Sequence, residues 1–162
     1  MSGSGSFGVN YKKSFTGTEL PLPASVGAVG SLPEGKFIFV QADGAVAQYA
    51  FVKISDDGQA DELNTTNDTV DSLQVGVAQV AAADNEYLWV WIGGPGGGGV
   101  GSGIKGKCAA SYAADKNLYT TGNDGIADDD TATVLIKNVV GLTTLTGASS
   151  VELKSTGYLS VN

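Results

Sequence analysis

The hydrophobic residues of this chain fall into short runs that are separated by turn residues. The apolar runs cover residues 36–41, 45–54, 73–80 and 86–92. Several of them end at Asp-Gly pairs, such as Asp43-Gly44 and Asp57-Gly58, which favour hairpin turns. Short strands with frequent turn signals are typical of all-β domains. The pattern therefore predicts an antiparallel β-sandwich or barrel-like module.

The run at residues 86–92 shows the clearest alternation along the chain. Tyr87, Trp89 and Trp91 share one face of the predicted strand, and residues 88, 90 and 92 form an equally apolar second face. We therefore expect this strand to be covered on both sides. The aromatic stripe is compatible with a platform for stacking sugars and with a core or a subunit interface. The two apolar faces of the strand favour the core or the interface.

A glycine-rich segment separates two stretches of similar pattern. Eight of the 11 residues from 93 to 103 are glycine, which predicts a long flexible loop or tether. Three features recur after it, at offsets of 67, 65 and 64 residues: Asp57-Gly58 as Asp124-Gly125, Gly76 as Gly141, and residues 87–90 as 151–154. We therefore predict two duplicated half-repeats, residues 36–94 and 104–162, within a β-rich domain covering 36–162. Residues 108–117 are the one stretch compatible with a short helix.

The first 35 residues differ from the rest in composition. They contain three of the four prolines and many glycines, which disfavour a helix or a strand ladder and predict an extended N-terminal arm over residues 1–35. A purely flexible linker has no use for large apolar side chains. We therefore predict that the arm anchors on a neighbouring molecule through its apolar residues Phe7, Tyr11, Phe15, Leu20 and Leu22.

Composition and charge exclude several classes of function. The 162 residues include 17 Asp and Glu, nine Lys, no Arg and no His, giving a formal net charge of −8. Without His, no Ser-His-Asp triad and no imidazole metal ligand can form. The acidic balance opposes nucleic acid and anionic membranes as partners. The single cysteine, Cys108, permits no internal disulfide. We predict a protein that is not an enzyme and that carries no cofactor or metal.

Two local patterns resemble binding motifs but lack their structural context. Residues 101–106 fit the glycine spacing of a phosphate loop, but no amphipathic helix is predicted to follow. The acidic residues at 124 and 128–130 are compatible with a calcium site or with a solvated turn, and their spacing favours the turn. The N-terminus lacks the charged start and apolar run of a signal peptide, so we expect no cleaved export signal.

Two segments of the chain resemble the head decoration (cement) proteins of tailed bacteriophages. They are residues 75–94, with their Gly-Val-Ala entry, and residues 106–125, with an Asn-Leu-Tyr-Thr-Thr hairpin followed by Asp-Gly. The resemblance implies a trimeric β-rich module on the outer surface of an icosahedral capsid, where it bridges major capsid proteins and stabilises the head of the virion. The alternative that the residues leave open is a surface fibre or carbohydrate-binding β-sandwich that uses Trp89 and Trp91.

Overall fold

The computed structural model describes residues 9–19, 22–68 and 74–161, and this part of the chain contains strands and no helix. The strands are β1 (Val29–Leu32), β2 (Gly35–Ala42), β3 (Phe51–Ile54), β4 (Gln59–Glu62), β5 (Gln74–Ala78), β6 (Tyr87–Gly93), β7 (Lys105–Cys108), β8 (Asn117–Thr120), β9 (Ala127–Asp128), β10 (Leu135–Gly141) and β11 (Ser149–Val161). All 11 belong to one sheet. The predicted all-β class is confirmed.

Strands β2 to β6 close on themselves to form what we call the first ring. β2 pairs in parallel with β4, and the remaining pairings, β4 with β3, β3 with β5, β5 with β6 and β6 with β2, are antiparallel. The longest ladder joins β2 to β6, from Lys36 opposite Gly93 to Gln41 opposite Tyr87. The sheet is therefore mixed rather than purely antiparallel, because β2 and β4 run in the same direction.

Strands β7 to β11 form a second ring with the same order of pairings. β7 pairs in parallel with β9, and β9 with β8, β8 with β10, β10 with β11 and β11 with β7 pair antiparallel. Contacts of β11 with β5 and β6 join the two rings into one sheet. The shared order supports the predicted relation between the half-repeats, whose duplication stays a prediction.

Matching turns accompany the matching strands. Tyr49 precedes β3 with φ 65° and Asp115 precedes β8 with φ 62°, a conformation that is rare for residues other than glycine. Tyr49 N–H donates to Ala78 O at 2.7 Å, and Asp115 N–H donates to Gly141 O at 2.8 Å. The strand register thus makes Ala78 the counterpart of Gly141, where the sequence comparison predicted Gly76.

The buried side chains form two clusters. One fills the inside of the first ring with small and branched residues, among them Val40, Val52, Leu88 and Val90. The other begins on the outer face of β2 and β6, at residues such as Phe39, and continues into the second ring. The predicted coverage of β6 on both faces is confirmed, since its two faces belong to different clusters.

Two predicted elements differ from those of the described residues. Only Phe51–Ile54 of the run at 45–54 is a strand, because the chain turns at Tyr49 to bond with Ala78. The helix predicted at residues 108–117 is not formed. Ser111 and Asp115 both have positive φ, which interrupts helical geometry, and the segment forms turns between β7 and β8.

The glycine-rich segment is a packed connection and not a free tether. Gly98 N–H donates to Glu34 O at 2.7 Å, and Gly99 N–H donates to Leu153 O at 2.8 Å. At Gly98 a Cβ atom would lie 2.1 Å from Leu153 O, so the backbone can approach β11 only because this residue is glycine. The flexible connection predicted from composition is therefore wrong for the described loop, which joins the β1–β2 hairpin to the second ring.

The N-terminal arm also departs from the prediction. Strand β1 lies inside the proposed arm and pairs with β2, from Val29 opposite Ile38 to Leu32 opposite Gly35. Pro33 sits in the hairpin turn, where its missing N–H costs no ladder bond. Prolines in the turn and outside the strand therefore do not exclude a ladder, and the described part of the arm packs on its own domain.

Candidate interaction surface

The outer face of β2 and β6 carries a cluster of aromatic side chains that the arm covers. Tyr11 stacks on Phe37 with ring centroids 4.8 Å apart and an interplanar angle of 12°. Phe39 lies parallel to Tyr87 at 5.9 Å. Such offset and edge contacts between rings add to the energy of burial alone. The arm is thus a layer that covers this side of the sheet. We call the aromatic side chains of β2 and β6 beneath it the aromatic face.

Phe15 joins the arm to the sheet through its backbone as well as its ring. Its N–H donates to Tyr87 O at 2.7 Å, and Tyr87 N–H donates back to Phe15 O at 2.7 Å. Its ring lies 6.1 Å from that of Phe39, with the Lys13 ammonium 4.8 Å above it. This segment therefore adds to β6 where β5 no longer pairs with it.

The two tryptophans are core residues of the described chain. Trp89 is 3% exposed and Trp91 is 0% exposed. Trp91 Nε1–H donates to Glu34 O at 3.0 Å. In this conformation neither indole ring presents a face to a sugar or to another subunit. Their predicted use as a sugar platform or as a partner contact does not fit this conformation, because the arm covers the side of β6 that carries both rings and the cluster inside the first ring packs against the other side.

The remaining predicted contact residues have different outcomes. Tyr87 and Leu22 are half-buried, and Tyr11 is half-buried beneath Lys12. Burial, together with the nearby charge of Glu34, raises the pKa of Tyr11. Phe7 and Leu20 lie outside the described residues. The structure therefore brings Tyr11, Phe15 and Tyr87 together around the aromatic face, as an intramolecular contact.

Strand β1 forms an edge that sequence reasoning missed. Among the residues that the structure describes it pairs with β2 alone, and Val29 is 57% exposed on it, close in sequence to Val26 at 39%. In an antiparallel ladder every second residue directs its backbone N–H and C=O toward the neighbouring strand. Ala28 and Gly30 direct these groups toward β2, so those of Val29 and Ser31 point to the open side. Exposed edges are usually blunted by charge or proline. The prolines of residues 1–35 concealed this strand.

The other chemical candidates do not assemble into a site. No group of three or more His, Cys, Asp or Glu side chains within the described ranges is arranged to hold a metal ion. Burial, followed by the charge of Asp129, raises the pKa of Asp128. The segment fitting a phosphate loop leads into β7 and not into a helix. Burial also raises the pKa of Cys108 to about 12, so its thiol is a poor nucleophile.

Comparisons of the chain with protein-family models, curated proteins and solved structures found no match. No helix of the described residues is long and apolar enough to cross a membrane.

Proposed function

We propose that this protein is a structural component of a virion that decorates the outer surface of an icosahedral phage capsid by binding major capsid protein subunits. The observation that carries the proposal is the open edge of β1 with its exposed valines. An edge strand that lacks lysine and proline is suited to pairing with an extended segment of another protein. The resemblance of residues 75–94 and 106–125 to head decoration proteins supports the same function.

The distribution of charge supports an outward-facing role. Asp56, Asp57, Asp124 and Asp130 are exposed in the acidic turns of the two rings. Water and salt screen like charges in such turns at little cost, whereas the same charges beside packaged DNA would be repelled. We further propose that the protein assembles with copies of itself, as a trimer, and that it acts without a cofactor and without catalysis.

The proposal is tested by locating the protein in purified particles. An antibody against the chain, together with mass spectrometry of gradient-purified virions, should find it in stoichiometric amounts on heads. Recombinant protein should also bind heads that lack it. Absence from purified particles, combined with no binding to such heads, would contradict the proposal.

A matched pair of variants tests the edge itself. Val29→Lys places a charge on the open side of β1, while Val100→Lys places the same charge on a residue that is 90% exposed in the glycine-rich loop. We expect Val29→Lys to lower head occupancy at least tenfold and Val100→Lys to leave it unchanged. Both should melt as the wild type does. Equal occupancy of the two variants would exclude β1 as the contact.

A further inference from the structure

The second ring has an open edge at the position where the arm binds the first ring. In the β7–β11 ladder, Ser150 lies opposite Lys107. Three rungs along, Leu153 N–H donates to Ile104 O at 2.9 Å. Hydrogen-bonded and non-bonded pairs alternate in an antiparallel ladder. The N–H and C=O of Ser150 therefore point away from β7.

Ser150 is the counterpart of Tyr87 in the first ring. Tyr87 lies opposite Gln41 in β2, as Ser150 lies opposite Lys107 in β7. In the first ring the outward backbone groups of Tyr87 bond to Phe15 of the arm. No described residue makes the corresponding backbone bridge to Ser150. The same edge is thus filled by an aromatic arm segment in one ring and open in the other.

A cavity lies beside this open edge. It has a volume of about 240 Å³ and is lined by residues of both rings: Tyr49, Lys107, Cys108, Ile126, Ala148, Ser149 and Ser150. An apolar cavity of ~150 Å³ is sufficient to hold a benzene ring. The space therefore accommodates one aromatic side chain, and its walls are largely apolar at Tyr49, Ile126 and Ala148.

The charges around the cavity add a second requirement for the occupant. Lys107 lines the cavity, and Lys105 lies two residues away on the same outer face of β7. The ion pairs of the described residues involve Lys13 and Lys53, so neither Lys105 nor Lys107 has a carboxylate within 4.0 Å there. Lys105 already lies opposite Glu152 in this ladder, so an occupant that brings a carboxylate would complement Lys107.

We propose that the edge at Ser150 and its cavity form a docking site for an extended segment of the major capsid protein that carries an aromatic side chain and a neighbouring acidic residue. The inference rests on the proposed function. It commits to the capsid protein because the described arm residues of each copy already cover the aromatic face of that copy's own first ring. Binding would repeat the Phe15 arrangement, with two backbone hydrogen bonds to Ser150 and one ring in the cavity.

Two variants close the site by independent means. Ala148→Trp fills the cavity, and Val100→Trp is its control, since it places the same side chain at an exposed position. Ser150→Pro removes the outward N–H without removing a bond to β7. We expect Ala148→Trp and Ser150→Pro to lower occupancy on heads at least tenfold, with Val100→Trp unchanged. Thermal melting identifies a variant that fails to fold, in which case the other decides.

The outcomes separate this site from the proposed function. If the wild type decorates heads and both folded variants do so equally well, the docking site is wrong while the function stands. If the wild type is absent from heads, the function is wrong, and a displayed library of random heptapeptides then tests the site. Enriched peptides with an aromatic and an acidic residue that bind Ala148→Trp at least tenfold more weakly would support it. No enrichment, or undiminished binding to this variant, would overturn it.

Discussion

The two rings have the same order of strand pairings but fill their interiors differently. The first ring is packed with small and branched side chains, including Val46 and Ala78. The corresponding positions of the second ring hold Tyr112 and Gly141, and Tyr112 is fully buried. A Cβ atom on Gly141 would lie 2.7 Å from Tyr112 Cε1. The aromatic side chain of Tyr112 therefore fits inside the second ring only because Gly141 opposite it has no side chain. Compared with the first ring, side-chain volume is redistributed between these two positions.

Tyr112 also supplies hydrogen bonds that the first ring does not need. Its hydroxyl donates to Lys116 O at 2.6 Å and accepts from Gly141 N–H at 2.8 Å. A buried hydroxyl without partners would destabilise the fold. The contrast teaches that one strand topology tolerates either a purely apolar interior or a single satisfied polar group.

The outer faces of the rings differ even more. Phe39 and Trp89 face outward from the first ring, opposite each other on β2 and β6. At the matching positions the second ring carries Lys105 and Glu152, also opposite each other. The aromatic pair requires a cover, which the arm provides, while the charged pair does not. The backbone bridge of the described arm, at Phe15, is accordingly made to the first ring.

The largest expected effect comes from removing the aromatic side chain of Tyr112 from the interior of the second ring. Tyr112→Ala should lower the free energy of unfolding by about 4 kcal/mol, because it creates a cavity and leaves Gly141 N–H without its partner. Val46→Ala, at the matching position of the first ring, should cost less than half as much. Urea denaturation of both variants measures the difference. Equal losses in the free energy of unfolding would mean that Tyr112 stabilises the second ring no more than Val46 stabilises the first.

A smaller effect is expected from filling the space opposite Tyr112. Gly141→Ala should cost about 2 kcal/mol by overpacking against Tyr112 and Val151. The double variant Tyr112→Val with Gly141→Ala reproduces the pattern of the first ring. It should be more stable than the sum of the single losses predicts, which a double-mutant cycle measures. Additive losses would contradict the exchange of volume between the two positions.

Uncovering part of the aromatic face should cost less again. Phe15→Ala should lower the free energy of unfolding by about 1.5 kcal/mol, since its half-buried ring is lost while backbone groups remain to pair with Tyr87. Tryptophan emission should shift to longer wavelength as water approaches Trp89. Substituting Lys116→Ala, an exposed residue outside the arm, provides a control. An unchanged melting temperature and emission would mean that the arm does not cover this face. That result would favour the sequence-based prediction that the arm binds a neighbouring molecule.

The effect that is smallest at neutral pH emerges only in alkaline solution. Burial raises the pKa values of Cys108 and Tyr112, each to about 12, so both groups bind their protons more tightly when folded than when unfolded. Their contribution to stability is complete below the pKa of an ordinary thiol, roughly 8.5, and is lost as the pH rises toward 12. Denaturation at several pH values measures the decline. Cys108→Ala, which introduces the residue found at Ala42, should reduce the slope, and an unchanged slope would exclude the thiol as a contributor.

The sequence determined the local part of this architecture. Alternating apolar residues in 86–92 required a strand covered on both faces, and Asp-Gly pairs marked the turns that precede β4 and β9. The recurrence of these signals also indicated two related halves. Such features depend on neighbours within a few residues, so a single sequence is sufficient to reveal them.

Only the tertiary structure decided where the long-range partners lie. The apolar residues of the arm could cover the aromatic face or bind a neighbour, and backbone bonds between Phe15 and Tyr87 select the first choice in the described chain. The glycine-rich loop is ordered by contacts with Glu34 and Leu153, which lie far away in the sequence. The open edge at Ser150 carries no local signal at all. Which strands form open edges, and which segments cover a face of the sheet, depends on the pairing of strands. That pairing is set by packing of the whole domain.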